Sequence, residues 1–164
     1  DLGATICRFN NPLCIECPIS KMCYSYEKGI TDKIPGKKIK KHKKIKHGVV
    51  FFVINKKGEF LSRKRSSQNL FRGMMELPMT PLSEKTWDLS SLNEYYPLKS
   101  RWLDTQLTVK HPLSGFIINL KIYFARTASN KKGDWINLDK IEEYAFPTLF
   151  KQVINVVVKN YLTN

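Results

Sequence analysis

The fold is decided by the stretch Gly48-Val49-Val50-Phe51-Phe52-Val53-Ile54. Consecutive residues of a β-strand point to opposite faces, so a strand that is apolar at every position is buried on both faces. The stretch therefore predicts the central strand of a sheet. The turn sequence Asn55-Lys56-Lys57-Gly58 follows it, and residues 59–65 are predicted to return as a second strand.

The chain beyond this hairpin completes a compact α+β domain, which we assign to residues 48–164. Residues 103–110 alternate apolar and polar side chains, the pattern of a half-buried strand, and residues 116–124 continue it in another strand. The sequence between them, His111-Pro112-Leu113-Ser114-Gly115, predicts a hairpin loop. Pro147 fits the first turn of a final helix, because apolar residues follow it at helical spacing.

The chain is strongly basic. Its 164 residues include 28 Lys and Arg against 14 Asp and Glu, for a net charge of +14. Half of the excess lies in residues 1–47, which hold 11 basic and 4 acidic residues. This excess favours a polyanionic partner, most simply a nucleic acid. Lysines crowd residues 37–47, and such a block cannot fold on itself because like charges repel. We interpret residues 29–47 as a basic connector.

Composition excludes two classes of protein. Hydrophobic residues make up 42% and aromatic residues 12% of the chain, which excludes wholesale disorder. No apolar run approaches the roughly 18 residues of a membrane span, so we expect no membrane partner. The first residues lack the basic and apolar regions of a secretory signal, and we therefore expect a cytoplasmic protein. Separately, we expect a monomer.

All four cysteines lie in the N-terminal segment, residues 1–28. Their spacing is C-x6-C-x2-C-x5-C, at positions Cys7, Cys14, Cys17 and Cys23. Four thiolates can hold a 4Fe-4S cluster or a structural zinc ion. Zinc ribbons usually pair two C-x2-C knuckles, whereas this segment has one, so the spacing favours a 4Fe-4S cluster. Zinc is the alternative, and four unliganded thiols are a third interpretation.

These motifs together resemble the helix-hairpin-helix DNA glycosylases. Asp1-Leu2-Gly3-Ala4 followed by the cysteine motif is similar to the cluster motif that endonuclease III and the MutY-type adenine glycosylases share. Endonuclease III ends soon after its last cysteine, whereas MutY continues through a connector into a Nudix-like (MutT-like) domain. Ile34-Pro35-Gly36-Lys37-Lys38, residues 60–65 and residues 70–78 resemble that connector and the entry to that domain.

The resemblance implies the C-terminal part of a bacterial adenine DNA glycosylase of base excision repair. The implied fold is a Nudix-like mixed sheet flanked by helices, preceded by a short helical iron–sulfur segment. In the family the cluster holds the loop between its first two cysteines against the DNA backbone, and Arg8 is the one cation of that loop. The connector lysines would contact phosphates, with a solvated tether as the alternative; they are Lys37, Lys38, Lys40, Lys41, Lys43 and Lys44.

The resemblance also assigns a lesion-recognition loop. The family's Nudix-like domain recognises 8-oxoguanine opposite the target adenine with a Phe-Ser-His-type loop that follows a strand. Ser114 matches the serine of that loop, while Leu113 replaces the aromatic residue and Gly115 replaces the histidine. Ser114, Leu113 and His111 are therefore the expected lesion-recognition residues, and the expected partner is duplex DNA with A:8-oxoguanine or A:G mispairs. The alternative is an ordinary hairpin tip.

Two kinds of catalysis are not expected of these residues. A Nudix hydrolase needs a helix with several carboxylates to hold magnesium, but only Glu76 lies close after Gly73, and Thr80-Pro81-Leu82 breaks any helix. The family's catalytic Glu and Asp lie upstream of the cysteine motif, so we expect no glycosylase activity from this chain alone. The rival hypotheses are a zinc-bound, non-enzymatic nucleic-acid-binding module and a divergent Nudix hydrolase with a metal appendage.

Overall fold

The chain forms two compact units, residues 1–42 and residues 43–164. The computed structural model describes residues 1–34, 36, 43–66, 70–128 and 133–163. The first unit contains two single-turn α-helices, α1 (Leu2–Thr5) and α2 (Tyr24–Glu27), with short 3-10 turns between and after them. None of its described residues is buried, so this part of the chain has no hydrophobic core of its own.

The second unit is built on a six-stranded mixed sheet. Its strands are β1 (Lys44–Asn55), β2 (Glu59–Lys64), β3 (Met75–Glu76), β4 (Leu103–Pro112), β5 (Phe116–Thr127) and β6 (Asp134–Asn137). Five of them lie in the order β3-β2-β1-β5-β4, and β6 also pairs with β2. Strands β1 and β5 are parallel over their whole length, whereas the other pairs are antiparallel.

The central strand begins earlier than the sequence predicted. β1 starts at Lys44 rather than at Gly48, so residues 44–47 of the predicted connector are strand. Those four residues pair in register with the first four residues of β5, from Lys44 opposite Phe116 onward. The lysines tolerate this position because they remain exposed or half-buried, while every residue from Gly48 to Asn55 is buried.

Alternate residues of β1 pack into separate layers on the two faces of the sheet. Val50 and Phe52 join the main core, which the buried side of helix α3 (Thr148–Val157) completes. Val49 and Phe51 face the other way and pack against aromatic side chains that include Trp102. This two-sided burial confirms the predicted central strand, since a strand covered on one face would expose every second residue.

The two faces are covered by different structure. Helix α3 follows Pro147, as the sequence predicted, and continues into a π-helical turn, Val158–Leu162. The opposite face carries a largely irregular segment that includes one 3-10 helix, Leu89–Glu94. The expected mixed sheet with flanking helices is therefore confirmed. No helix in the described residues is long and apolar enough to cross a membrane.

A β-bulge and one carboxylate fix the far end of the β4–β5 hairpin. The register shifts between Asp104 and Thr108, and Gln106 has a φ of 60°. The Asp104 carboxylate accepts hydrogen bonds from the Gln106 backbone N–H (3.0 Å), Lys121 Nζ (2.5 Å) and the Tyr123 hydroxyl (3.2 Å). Burial alone would raise the pKa of Asp104, but these donors together lower it below 3.8. Burial and the nearby Asp104 charge raise the pKa of Tyr123 to about 12.

We predict that Phe52→Ala lowers the free energy of unfolding by about 3–5 kcal/mol, because it opens a cavity in the core. Phe52 is fully buried and stacks on Phe60 and Phe124, with ring centroids 5.5 and 6.3 Å away. Leu103→Ala is the control, since Leu103 is 50% exposed and should cost roughly 1 kcal/mol or less. Urea unfolding measures both variants; equal losses would contradict this placement of the core.

We predict that Asp104→Asn removes part of the pH dependence of stability. A carboxylate whose pKa is lowered by folding stabilises the protein above its unfolded pKa, and that contribution is lost as the pH falls through the lower folded pKa. Urea unfolding at neutral pH and at about pH 3 should give a wild-type advantage over the variant that shrinks on acidification. The exposed Asp139, changed to Asn, is the control. An advantage for wild type that is constant with pH would contradict the prediction.

Candidate functional site

The tip of the β4–β5 hairpin presents a small polar loop to solvent. Leu113, Ser114 and Gly115 connect the strands, and the Leu113 N–H donates to the Phe116 carbonyl oxygen at 2.8 Å to close the turn. Ser114 and Gly115 are exposed, whereas Leu113 is half-buried. A Cβ atom built on Gly115 would meet nothing within 4 Å, so a ligand has room on this side of the loop.

His111 lies at the base of this hairpin rather than in the turn. It is a β4 residue, paired with Ile118 of β5, and its side chain is directed toward helix α3. Its Nδ1 atom lies 3.3 Å from Oε1 of Gln152, which accepts a hydrogen bond when Nδ1 carries the proton. Of the three predicted lesion-recognition residues, two therefore lie in the loop and His111 joins the base of the hairpin to the helix.

The structure brings one predicted DNA-binding lysine onto the predicted lesion loop. Lys43 Nζ donates a hydrogen bond to the Leu113 carbonyl oxygen. Its neighbour Lys44 forms an exposed ion pair with Glu84 at 3.1 Å. The remaining predicted connector lysines lie outside the described residues; they are Lys37, Lys38, Lys40 and Lys41.

Two basic residues at this end of the sheet were not among the predicted site residues. Lys46 Nζ lies 4.7 Å from the centroid of the Phe116 ring, a cation–π contact beside the turn. Lys110 is exposed on β4, next to the half-buried His111. Lys46 meets Phe116 because β1 and β5 pair in parallel. Neither stretch of sequence on its own indicates that the two strands pair, so this contact could not be predicted.

The charge at this end of the sheet is strongly one-sided. β1, β4 and β5 contain a single acidic residue, Asp104, which lies at the other end of β4 and is paired with Lys121. At the tip end the described basic side chains include Lys43, Lys44, Lys46, Lys110 and His111, and the acidic Glu84 pairs with Lys44 there. Such a surface attracts a polyanion by long-range electrostatics.

In the first unit, all four cysteines line one cavity of about 360 Å³. Cys7 is exposed and the other three are half-buried, and none forms a disulfide. No three His, Cys, Asp or Glu side chains within the described residues converge closely enough to hold one metal ion. Tetrahedral zinc would need sulfurs about 3.8 Å apart. Within the described residues the four thiols share one cavity, but they do not converge on one point.

The loop between the first two cysteines is closed by a backbone hydrogen bond. The Leu13 N–H donates to the Ile6 carbonyl oxygen at 3.0 Å, so the two ends of the loop meet next to the cavity. Arg8, the predicted cation of this loop, is exposed and lines the same cavity. Its guanidinium is therefore accessible to an anion within its own unit.

A second cavity, of about 630 Å³, surrounds a buried carboxylate in the larger unit. The Glu76 side chain is 5% exposed and accepts hydrogen bonds from Arg63 Nε (2.8 Å) and Arg65 Nη1. Two arginines neutralise this carboxylate, as expected for a structural residue. The chain after it is extended, since Met79 and Ser83 form β-bridges to β1.

Comparison with known proteins assigns the family. A model of the NUDIX domain matches residues 49–156. The chain is 24% identical over 167 residues to the adenine DNA glycosylase of Buchnera aphidicola subsp. Baizongia pistaciae, a match covering 97% of this chain and 46% of that protein. The chain thus spans about half the length of the curated relatives it matches.

Two solved structures share the fold. The MutT protein from Methanosarcina mazei Go1 superposes with a TM-score of 0.56 at 20% identity, covering 73% of this chain and 96% of that one. The C-terminal domain of mouse MUTYH, solved in complex with human PCNA, gives a TM-score of 0.53 at 14% identity, covering 73% and 91%. The resemblance to the C-terminal part of the MutY-type adenine DNA glycosylases is thereby confirmed, and the chain belongs to the Nudix domain family.

Proposed function

We propose that this chain is the lesion-reading part of an adenine DNA glycosylase, which binds duplex DNA and recognises 8-oxoguanine opposite a misincorporated adenine. The observation that carries the proposal is the exposed Ser114 turn, which lies beside Lys43 and Lys46 at the basic end of the sheet. The similarity to adenine DNA glycosylases over nearly the whole chain supports it.

The chemistry of the turn suits the lesion. The N7 atom of guanine accepts hydrogen bonds, whereas N7 of 8-oxoguanine carries a hydrogen and must donate. The Ser114 Oγ atom can accept that hydrogen and can donate its own to an oxygen of the lesion. The open space at Gly115 lets the base edge approach the backbone of the turn. Hydrogen bonds of this kind are worth about 1–3 kcal/mol of discrimination between bases.

The surrounding cations supply affinity rather than selectivity. Lysines that contact phosphates release condensed counterions, and each contact makes the log–log dependence of affinity on salt steeper by about 0.9. The lysines proposed for this role are Lys37, Lys38, Lys40, Lys41 and Lys44 of the connector, together with Lys46 and Lys110. The serine then distinguishes the base while the lysines hold the duplex against the sheet end.

We propose that Cys7, Cys14, Cys17 and Cys23 hold a 4Fe-4S cluster. When bound, such a cluster cross-links four points of the chain through thiolate bonds. The first unit has no buried residue among those described, so it depends on this kind of cross-link for a defined shape. A defined shape would hold Arg8 and its loop ready for a phosphate.

Excision of adenine is assigned to a part of the parent glycosylase that these residues do not supply. Pyrophosphate hydrolysis is not proposed, because Glu76 is engaged by two arginines and an extended chain follows it. The chain alone is therefore proposed to bind DNA without cleaving an N-glycosyl or a phosphoanhydride bond.

We predict that Ser114→Ala weakens binding to an A:8-oxoguanine duplex by about ten-fold, because one hydrogen bond to the lesion is lost. Affinity for an A:G duplex should change less, by about two-fold, because guanine N7 cannot donate to the serine and only a bond donated by the serine hydroxyl could be lost. Titration of labelled duplexes with the full chain measures both affinities. Ser90→Ala is the control, because Ser90 is exposed on the 3-10 helix, away from the hairpin. Equal wild-type affinity for the two duplexes would refute the proposed function.

We predict that the full chain, supplied with iron and sulfide under anaerobic conditions, binds both and becomes brown. Cys17→Ser should abolish the visible absorption, because three thiolates and a hydroxyl are a poor ligand set for the cluster. Iron and sulfide analysis, with zinc measured alongside, tests this. Stoichiometric zinc without iron would instead favour the zinc-bound nucleic-acid-binding module.

A further inference from the structure

The topology places the end of the connector beside the turn. Strands β1 and β5 are parallel and pair from their first residues, Lys44 with Phe116. The residue that enters β1 and the residues that enter β5 therefore lie side by side, although about 70 positions separate them in sequence. Lys43 is the residue before β1, and it is also the first residue of the second unit.

Lys43 completes the anchoring of the first residue of the turn. The Leu113 N–H already donates to the Phe116 carbonyl oxygen at 2.8 Å. The Leu113 carbonyl oxygen belongs to the peptide group that joins Leu113 to Ser114, and Lys43 Nζ donates to it. The bond to Phe116 therefore restrains the peptide group before Leu113, and the bond from Lys43 restrains the peptide group that leads into Ser114.

The three lysines around the turn have different contacts. Lys44 pairs with Glu84, and both side chains are largely exposed. Lys46 covers the ring of Phe116. Of these three described lysines, Lys43 is the one that donates a hydrogen bond to the backbone of the loop. One of the three N–H donors of Lys43 is thereby committed to the turn, and its ammonium group is held against the backbone there.

We propose that Lys43 is a positioning residue for the lesion-reading turn and not a phosphate contact. This inference rests on the proposed function, because it assigns to Lys43 the task of holding Ser114 where it meets the lesion. The connector then also takes part in recognition, because the chain segment that leads into β1 sets the conformation of the turn. Lys43 thus acts on selectivity through Ser114, without touching the base.

The test compares two neighbouring charge removals in the full chain. Lys43→Met keeps the length of the apolar stem and removes the donor, and Lys44→Met is the matched control because it removes one charge at the adjacent position without a bond to the loop. Affinities for A:8-oxoguanine and A:G duplexes are measured over a series of salt concentrations. Amide hydrogen exchange at Ser114 and Gly115 is measured in the free protein.

We expect Lys43→Met to reduce the preference for the A:8-oxoguanine duplex by about five-fold, the loss of one hydrogen bond. The salt slope should stay at its wild-type value, and the Ser114 and Gly115 amides should exchange faster. Lys44→Met should keep both the preference and the exchange rates. A general loss of stability would weaken binding to both duplexes and would not change the preference between them.

Two results would overturn the inference, and they differ from the failure of the proposed function. If Lys43→Met weakens both duplexes equally and lowers the salt slope by about 0.9, Lys43 is a phosphate contact. If the variant keeps the wild-type preference and exchange rates, its bond to Leu113 does not position the turn. A wild-type protein with no preference between the duplexes would refute the proposed function itself.

Discussion

The parallel pairing of β1 with β5 is the interaction on which the rest of the structure depends. The two strands pair over 12 residues, and between Gly48 and Asn55 every residue of β1 is buried. Because they run in the same direction, the chain that enters β1 and the turn that enters β5 lie at one end of the sheet. An antiparallel pairing would have put Lys43 and the Ser114 turn at opposite ends.

The segment that follows β3 packs against the same central strand and differs from a metal-binding helix. Pro78 and Pro81 accompany an extended chain that bridges to β1 through Met79 and Ser83. Glu76, the buried carboxylate just before this segment, is paired with two arginines. Magnesium needs several hard oxygen ligands at one place, and these residues do not collect them. What the fold retains is a rigid platform with a basic end and an exposed turn.

Local patterns predicted the elements of this platform well. The apolar run from Gly48, the turn after Ile54, the hairpin between β4 and β5 and the helix after Pro147 all follow from side-chain periodicity or turn chemistry within a short window. The predicted hairpin loop began two residues too early, because His111 and Pro112 are still part of β4. The beginning of β1 could not be predicted that way. Lysines at 44 and 46 have the composition of a linker, and they form strand because β5 offers a partner and because Lys46 lies over the ring of Phe116.

Part of the candidate site could also be predicted from sequence. The resemblance to a glycosylase family pointed to Ser114 and Leu113, and the structure finds them in an exposed turn. The resemblance could not assign a contact to Lys43, because the bond to Leu113 joins residues that only the strand pairing brings together. His111 was expected in the loop, yet its ring meets Gln152 of α3, a contact set by how the helix packs on the sheet.

The most direct test of the account is a map of backbone amide shifts as labelled protein is titrated with lesion-containing DNA. The shift changes are measured for the full chain with an A:8-oxoguanine duplex and with the undamaged A:G duplex. The difference between the two sets of shift changes isolates the response to the oxidised base. The account predicts that this difference is concentrated at residues 113–116 and at the start of β1. A difference confined to the cavity around Glu76, with the turn unchanged, would contradict it.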